Sequence, residues 1–319
     1  MSSDQAHATH PIGGNLALDA ENTSLSLAEL SGGRKSQNIT LRNLRRFLIG
    51  NRLNLLGLCL VGLFLFLSLF GKVVAPYDPA AKGDIINAKL VGPSSTYILG
   101  TDEQGRDVFS RVLAGARDSL MVAVVVLTIS VIVGVIIGAV SGFFGGFVDE
   151  LLMRLTDMFL AFPALVLAIA IAATLGPSLR NTMLALATVF WPWYARLVRG
   201  QVLTIRERDY VDAARSIGLP SSRILSKHIM PNAMSVVIIQ VSLDIGYAIL
   251  TTSSLSFVGL GAQPPSSEWG LMLSTARNYF RDAWWYITFP GIALTLTVFA
   301  FNILGDGIQD ALDPRSARR

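Results

Sequence analysis

Residues 209–232 read DYVDAARSIGLPSSRILSKHIMPN, a charged segment broken by Gly218, Pro220 and Pro231 and flanked on both sides by runs apolar enough for lipid. A chain that hides most of itself from water interrupts itself here with a polar, turn-punctuated stretch. Its grammar is that of two short helices. The first is expected over 202–217, with Tyr210, Ala214 and Ile217 on one face and Asp212 within reach of Arg208 or Arg215 on the next. Gly218 suits a left-handed cap, and Pro220 follows where the helix could not continue. Ser221 is placed to cap a second helix over 222–230 that stops at Pro231. The expected product is a stiff elbow projecting into water. Small Ala213 and Ala214 beside a glycine turn suit close approach to a groove on another protein.

The flanking runs set the fold class. Of 319 residues 52% are hydrophobic and 15% charged, whereas soluble domains carry about 25% charged residues. Six windows approach the roughly twenty apolar residues a helix needs to cross the hydrocarbon. They cover 53–74, 120–144 with Gly134, Gly138 and Gly142, 151–175 with a kink at Pro163, 179–198 after the Gly176-Pro177 break, 234–260 and 284–304. Helices satisfy their own backbone in lipid, so an all-α membrane protein with six transmembrane helices is expected. The first apolar run begins too late and runs too long for a cleaved signal peptide.

The remaining divisions follow. Residues 1–38 read as a disordered tail in which His7 and His10 are solvent-exposed rather than metal ligands. Residues 39–52, ITLRNLRRFLIGNR, fit an interfacial helix or a plain basic flank. Residues 53–76 hold the first span, 77–117 an extracytoplasmic segment, and 118–312 the membrane core with its loop at 199–232. Cys59, the single cysteine, excludes an intrachain disulfide and reads as a small apolar filler.

Orientation follows from the basic residues. An even number of spans puts both termini on one side, and the termini-inside arrangement collects the larger share of Arg and Lys there: Arg42, Arg45, Arg46 and Arg52, the cluster at 196–208, Arg215, Arg223, Lys227 and the C-terminal arginines. This rim accounts for the net charge of +4 without any nucleic-acid partner.

Within the elbow, Asp212-Ala213-Ala214, three residues, Gly218, nine residues and His228-Ile229-Met230-Pro231 resemble the Glu-Ala-Ala loop of membrane subunits of binding-protein-dependent ATP-binding-cassette importers. Asp212 stands for the family's Glu and Met230 for its Leu. LGTDEQGRDVFSRVLAGARDSL (99–120), WPWYARLVRGQVL (191–203), LSFVGLGAQPPSSEWGLML (255–273) and GDGIQDALDPR (305–315) are similar to the dipeptide, oligopeptide and nickel permease group, in its second, C-type member. Thr252 departs from the acidic residue often found there.

The resemblance implies a type I importer permease fold in a bacterial-type cytoplasmic membrane, both termini cytosolic. It implies a homologous second permease, ATPase subunits carrying ATP and Mg, an extracytoplasmic substrate-binding protein, and no cofactor bound directly by this chain. It places ATPase coupling on Tyr210, Asp212, Ala213, Ala214, Arg215, Gly218, Leu219, Pro220, His228 and Pro231. Peptide is the expected cargo, with nickel or another small solute as the alternative, selection resting chiefly on the binding protein.

Other residues carry two readings each. Asp244 is an intramembrane acid with no cation within a turn of its own helix, and with Thr251 and Thr252 it marks a translocation path or a tightly packed helix. Asp102, Arg106 and Asp107, the last spaced to pair with Arg111, belong to a self-satisfied entry segment or, with Gln263 and Trp269, to a binding-protein or outer-gate contact. Trp269, Trp284 and Trp285 read as an aromatic belt. Glu150, Arg154 and Asp157 read as a structural ion-pair set. No Walker A pattern occurs outside a superficial match at 31–36, so energy must come from another chain. An ion-driven secondary transporter would need repeated halves and more midplane charges. A membrane enzyme would need a nucleophile-base pair or metal set that three His do not offer.

Overall fold

The computed structural model describes residues 52–83 and 85–312, so the tail, most of the 39–52 segment and the extreme C-terminus lie outside the described residues. Helix follows helix: α1 Arg52–Val74, α2 Val108–Phe144, α3 Gly146–Leu160, α4 Ala164–Leu175 and α5 Leu179–Arg206. The elbow contributes α6 Asp209–Ser216 and α7 Ser221–Ile224, then a π-helical turn over Leu225–Ile229 leads into α8 Met230–Phe257. Helix α9 Trp269–Ala276 and α10 Trp284–Leu312 complete the series, and no strand occurs among the described residues.

Four stretches are long and apolar enough to cross a membrane: α1, α2, the continuous run from Ser221 to Phe257, and α10. A fifth forms only if α3 and α4 count as one. They meet at 86°, a right-angle break rather than the expected kink in a single span. Pro163 supplies the break by lacking an N–H and by forcing Phe162 out of helical backbone. Asp149, Glu150, Arg154 and Asp157 also make α3 a poor candidate for hydrocarbon. Helix α5 is long enough but falls short in composition, because Arg180, Asn181, Pro192, Arg196 and Arg199 interrupt it.

The second span begins earlier than expected. Its polar start, residues 108–119, belongs to the same helix as the span rather than to a separate entry segment, and is capped by Asp107, whose Oδ2 accepts from the Ser110 amide at 2.8 Å. Asp107 is therefore occupied at the helix end. Arg111 instead faces Asp102 at 3.5 Å and donates to the carbonyls of Pro79 and Ser266.

Helices α2 and α5 form the longest packed seam, and glycines permit it. A Cβ on Gly134 would lie 2.6 Å from the Trp191 carbonyl, one on Gly138 2.4 Å from that of Ala195, and one on Gly142 3.0 Å from that of Arg199. Small residues four apart let two backbones touch, which is how helices gain van der Waals contact where lipid offers no hydrophobic drive. Where α5 leaves this seam, Arg199 grips Asp149 of α3 through two N–H donors at 2.6 Å, and Arg206 donates to the Gly142 carbonyl at 2.9 Å. Of the expected α3 set, Glu150 pairs with Arg154, whereas Asp157 pairs with Arg196 of α5 at 2.6 Å. Cys59 is exposed on α1, not a filler inside the bundle.

At one end of the bundle a polar cap is folded inward. Asp102 is fully buried; its Oδ2 takes the Arg106 Nε–H at 2.6 Å, and its Oδ1 accepts the amides of Gln104 and Arg106. The cap is stitched to distant sequence by aromatic donors: the Trp285 indole to the Thr101 carbonyl at 3.1 Å, the Trp269 indole to that of Val112 at 3.0 Å, and the Tyr286 hydroxyl to Glu103 at 2.5 Å. Trp269 and Trp285 are thus core residues, and only Trp284 of the expected belt is exposed. Asp102, Arg106, Asp107 and Trp269 are buried, so any part they take in an outer contact is to shape it; Gln263 alone of that group is exposed.

Glu268 caps α9 by accepting from the amides of Gly270 and Leu271 at 2.9 and 2.8 Å, and takes the Ser253 hydroxyl besides. Complete burial pushes its carboxyl above the ordinary 4.5, the donors from Gly270, Leu271, Ser256 and Ser253 pulling the other way. Because the unfolded chain releases this proton at lower pH than the folded one, the contribution to stability is full below the ordinary value and is lost as pH rises through the folded one. The difference between the pH profiles of unfolding temperature for wild type and Glu268→Gln should therefore show a wild-type decline with rising pH that the variant lacks. Parallel profiles would refute it.

Candidate coupling and translocation sites

The elbow is built by a cap and a tether. Helix α5 ends at Arg206, and Glu207 and Arg208 separate it from α6, so the expected single helix over 202–217 is two pieces. At the end of α6 the Gly218 amide donates to the Arg215 carbonyl at 2.9 Å and the Leu219 amide to that of Ala214 at 3.2 Å. This is a Schellman termination, and Gly218 takes the left-handed conformation it requires, with φ +77°. Val211 and Ala214 turn inward with Ile224 and Ile229, while Ile217, expected to share a face with Ala214, is 76% exposed. The helix ends at Ser216, so Ile217 is its C-cap, just ahead of the Gly218 turn, and does not continue the buried face.

The second arm also differs from expectation. Pro220, not Ser221, occupies the capping position, with its carbonyl accepting the amides of Arg223 and Ile224. The helix does not stop at Pro231. Proline cannot donate to the carbonyl four residues back and would collide with it, and the π turn just ahead widens the backbone so that the chain continues into α8. Tyr210 closes the elbow: Asn232 Nδ2 donates to its hydroxyl at 3.3 Å and to the His228 carbonyl at 2.7 Å.

Of the residues expected to couple, Asp212, Ala213, Arg215, Gly218, Pro220 and Pro231 are exposed, Tyr210, Leu219 and His228 are half-buried, and Ala214 is buried. Asp212 pairs with Arg215 at 2.9 Å, one of the two expected partners. The elbow therefore presents a compact surface with an apolar point at Ile217 and polar residues around it.

A cavity of about 620 Å³ opens between α4, α5 and α8, lined by Ala164, Phe190, Trp193, Arg196, Leu197, Gln240, Asp244 and Tyr247. Asp244 is the acid singled out in the sequence. Its Oδ2 accepts from the Tyr194 hydroxyl at 2.6 Å and its Oδ1 from Gln240 Nε2 at 3.0 Å. Thr251 and Thr252 lie elsewhere, buried, with their hydroxyls returned to the carbonyls of Tyr247 and Ala248. The aromatic wall was not anticipated, although its signal is in the sequence: 190, 193 and 197 recur at helical spacing, as do 240, 244 and 247.

Residues 134–318 match the family of binding-protein-dependent transport system inner membrane components. The chain belongs to that family. Residues 41–93 of this permease match the N-terminal transmembrane domain of oligopeptide transport permease C. It is 48% identical over 269 residues to the dipeptide transport system permease protein of Escherichia coli K12, covering 83% of this chain and 90% of that protein. A probable D,D-dipeptide transport system permease of the same strain is 46% identical, over 84% of this chain and 89% of that one. A di/tripeptide transport system permease of Pseudomonas aeruginosa UCBPP-PA14 is 44% identical, over 81% and 87%. The permease is a multi-pass inner-membrane subunit of an ATP-binding-cassette importer, and ATP hydrolysis falls to a separate subunit.

Proposed function

We propose that this permease pairs with a homologous second permease to form the translocation path of a di- or oligopeptide importer, its ATPase gripping the 209–232 elbow on the cytosolic side and its cargo arriving on an extracytoplasmic binding protein. Both termini are then cytosolic, in keeping with the basic rim. That the relatives are peptide transport permeases supports the cargo. The observation that carries the coupling role is the elbow's construction: a Schellman turn and a tyrosine tether stiffen two arms that leave Ile217 exposed at the tip. A rigid element with an exposed apolar point can pass on a partner's motion as a whole. ATP and Mg act on the partner, and binding coupling is reciprocal, so loaded binding protein favours the ATP-bound state.

The test is Gly218→Trp in the reconstituted importer. No atom lies within 4 Å of a Cβ built at Gly218, so the substitution adds bulk outward and strains the turn by roughly 1–2 kcal/mol without overpacking the bundle. ATP-driven dipeptide uptake is expected to fall at least about tenfold and ATPase co-isolation to weaken. Uptake undiminished in cells lacking any such ATPase would remove the proposal.

A further inference from the structure

The cavity beside Asp244 has the chemistry of a site for an ammonium group. The acids nearest the α3 side of the bundle each have an arginine: Asp149 has Arg199, Glu150 has Arg154 and Asp157 has Arg196. Asp244 takes part in no ion pair among the described residues, and its partners, Tyr194 and Gln240, are neutral donors. They fix the carboxylate without cancelling its charge, and each oxygen keeps acceptor capacity. A negative charge held this way within a bundle of apolar helices attracts a cation.

The walls suit the same guest. Tyr247, 52% exposed, stacks on Phe190 with ring centres 5.6 Å apart and planes 18° from parallel, and Trp193 is 63% exposed. Aromatic faces beside a carboxylate bind cations better than either alone would. Arg196 brings positive charge to the same cavity, with its Nη2 held by Asp157. A guest that is cationic at one end and anionic at the other satisfies both, and the volume, about 620 Å³, lies in the range of small-molecule sites.

We propose that this cavity is a transit site that receives a peptide by its free α-ammonium group, with Asp244 as the counter-ion and Tyr247 and Trp193 as the flanking faces. The proposal rests on the peptide-importer reading. It adds a selection step inside the membrane, after release from the binding protein, that favours peptides with an unblocked N-terminus.

The experiment uses the assembled importer with its binding protein in proteoliposomes, dialanine as cargo. Asp244→Asn should lower dialanine delivered per ATP hydrolysed at least about tenfold, and Asp244→Glu should recover part of it. A merely structural defect would lower delivery and hydrolysis together and leave that ratio unmoved. Should Asp244→Asn fail to assemble, the exposed-wall variants Trp193→Ala and Tyr247→Ala decide, with an expected several-fold loss in the same ratio. A second readout dispenses with the binding protein: dialanine added to the solubilised assembly should change Trp193 emission, taken as the difference from Trp193→Phe, and N-acetyl-dialanine should not.

An equal response to Nα-acetyl-lysine, whose ammonium sits on a side chain, would overturn the α-ammonium assignment. No response to dialanine would make the cavity a contact with the second permease and end the proposal. Dialanine uptake with an unchanged ratio in every variant would overturn the transit site alone. Wild-type assemblies that hydrolyse ATP yet carry no peptide would overturn the importer reading and this site with it.

Discussion

Replacing Asp102 with Ala is expected to destabilise this permease by about 3–5 kcal/mol, the cost of removing one member of a buried ion pair. The side chains involved are shielded from water: Asp102 is 0% exposed, and Arg106 and Arg111 are 4% and 3%. Without the carboxylate, Arg106 loses its 2.6 Å partner and Arg111 its nearest negative charge inside the fold. The 3.5 Å contact to Arg111 is Coulombic only, since the Arg111 Nε–H has no hydrogen-bond partner among the described residues. The amides of Gln104 and Arg106 also lose their acceptor. A drop in unfolding temperature of roughly ten degrees for the detergent-solubilised chain would match. The exposed Arg154 makes the control: it pairs with Glu150 at 72% and 59% exposure, so Arg154→Ala should change stability by no more than about 1 kcal/mol. If Asp102→Ala melts no earlier than Arg154→Ala, the cap is not held by its charges.

The second large effect is expected at Gly138. A leucine there must displace the α5 backbone, because even its first side-chain carbon would sit 2.4 Å from the Ala195 carbonyl oxygen and 2.9 Å from the Val198 Cβ. Overpacking typically costs 1–3 kcal/mol, and an obstacle made of backbone rather than a flexible side chain places Gly138→Leu at about 3 kcal/mol or beyond. Separation of α2 from α5 would also disturb Tyr194, the donor to Asp244, so cargo transport should fail with the packing. Gly200 on α5 provides the contrast, with open space around its would-be Cβ. Gly200→Ala should leave stability unchanged or raise it by about 0.5–1 kcal/mol, as expected for glycine replaced inside a helix. Equal melting of the two variants would refute the seam.

What the sequence could show followed from which interactions are local. Lipid demands long apolar runs, so the positions of α1 and α8 and the start of α10 were legible within a few residues, while α10 runs eight residues beyond its expected end, and the Gly218 turn was legible because few residues tolerate its backbone. The polar start of α2 read as an entry segment apart from the span because its burial depends on Ser266 and Trp269, some 150 residues away in the chain. Trp269 and Trp285 read as a membrane belt for the same reason: the carbonyls that satisfy their indoles belong to Val112 and Thr101. At the candidate sites, Asp244 stood out by being a lone acid, whereas Tyr194 did not, because an aromatic in an apolar run carries no sign that its hydroxyl meets a carboxylate 50 positions on. Ile217 was grouped on one face with Tyr210 and Ala214 because the helix was read through 217, whereas it ends at Ser216 and Ile217 is its cap.

The passage of the backbone through Pro231 joins Ser221 to Phe257 in one 37-residue rod. Asp244 sits 23 residues above its foot, roughly 35 Å at 1.5 Å per residue. A tilt of about 10° pivoting at the foot would sweep the carboxylate through some 6 Å, about the height of one helical turn. The surface a motor would grasp and the charge a passenger would meet ride on the same crowbar, one at its foot and the other partway up the shaft.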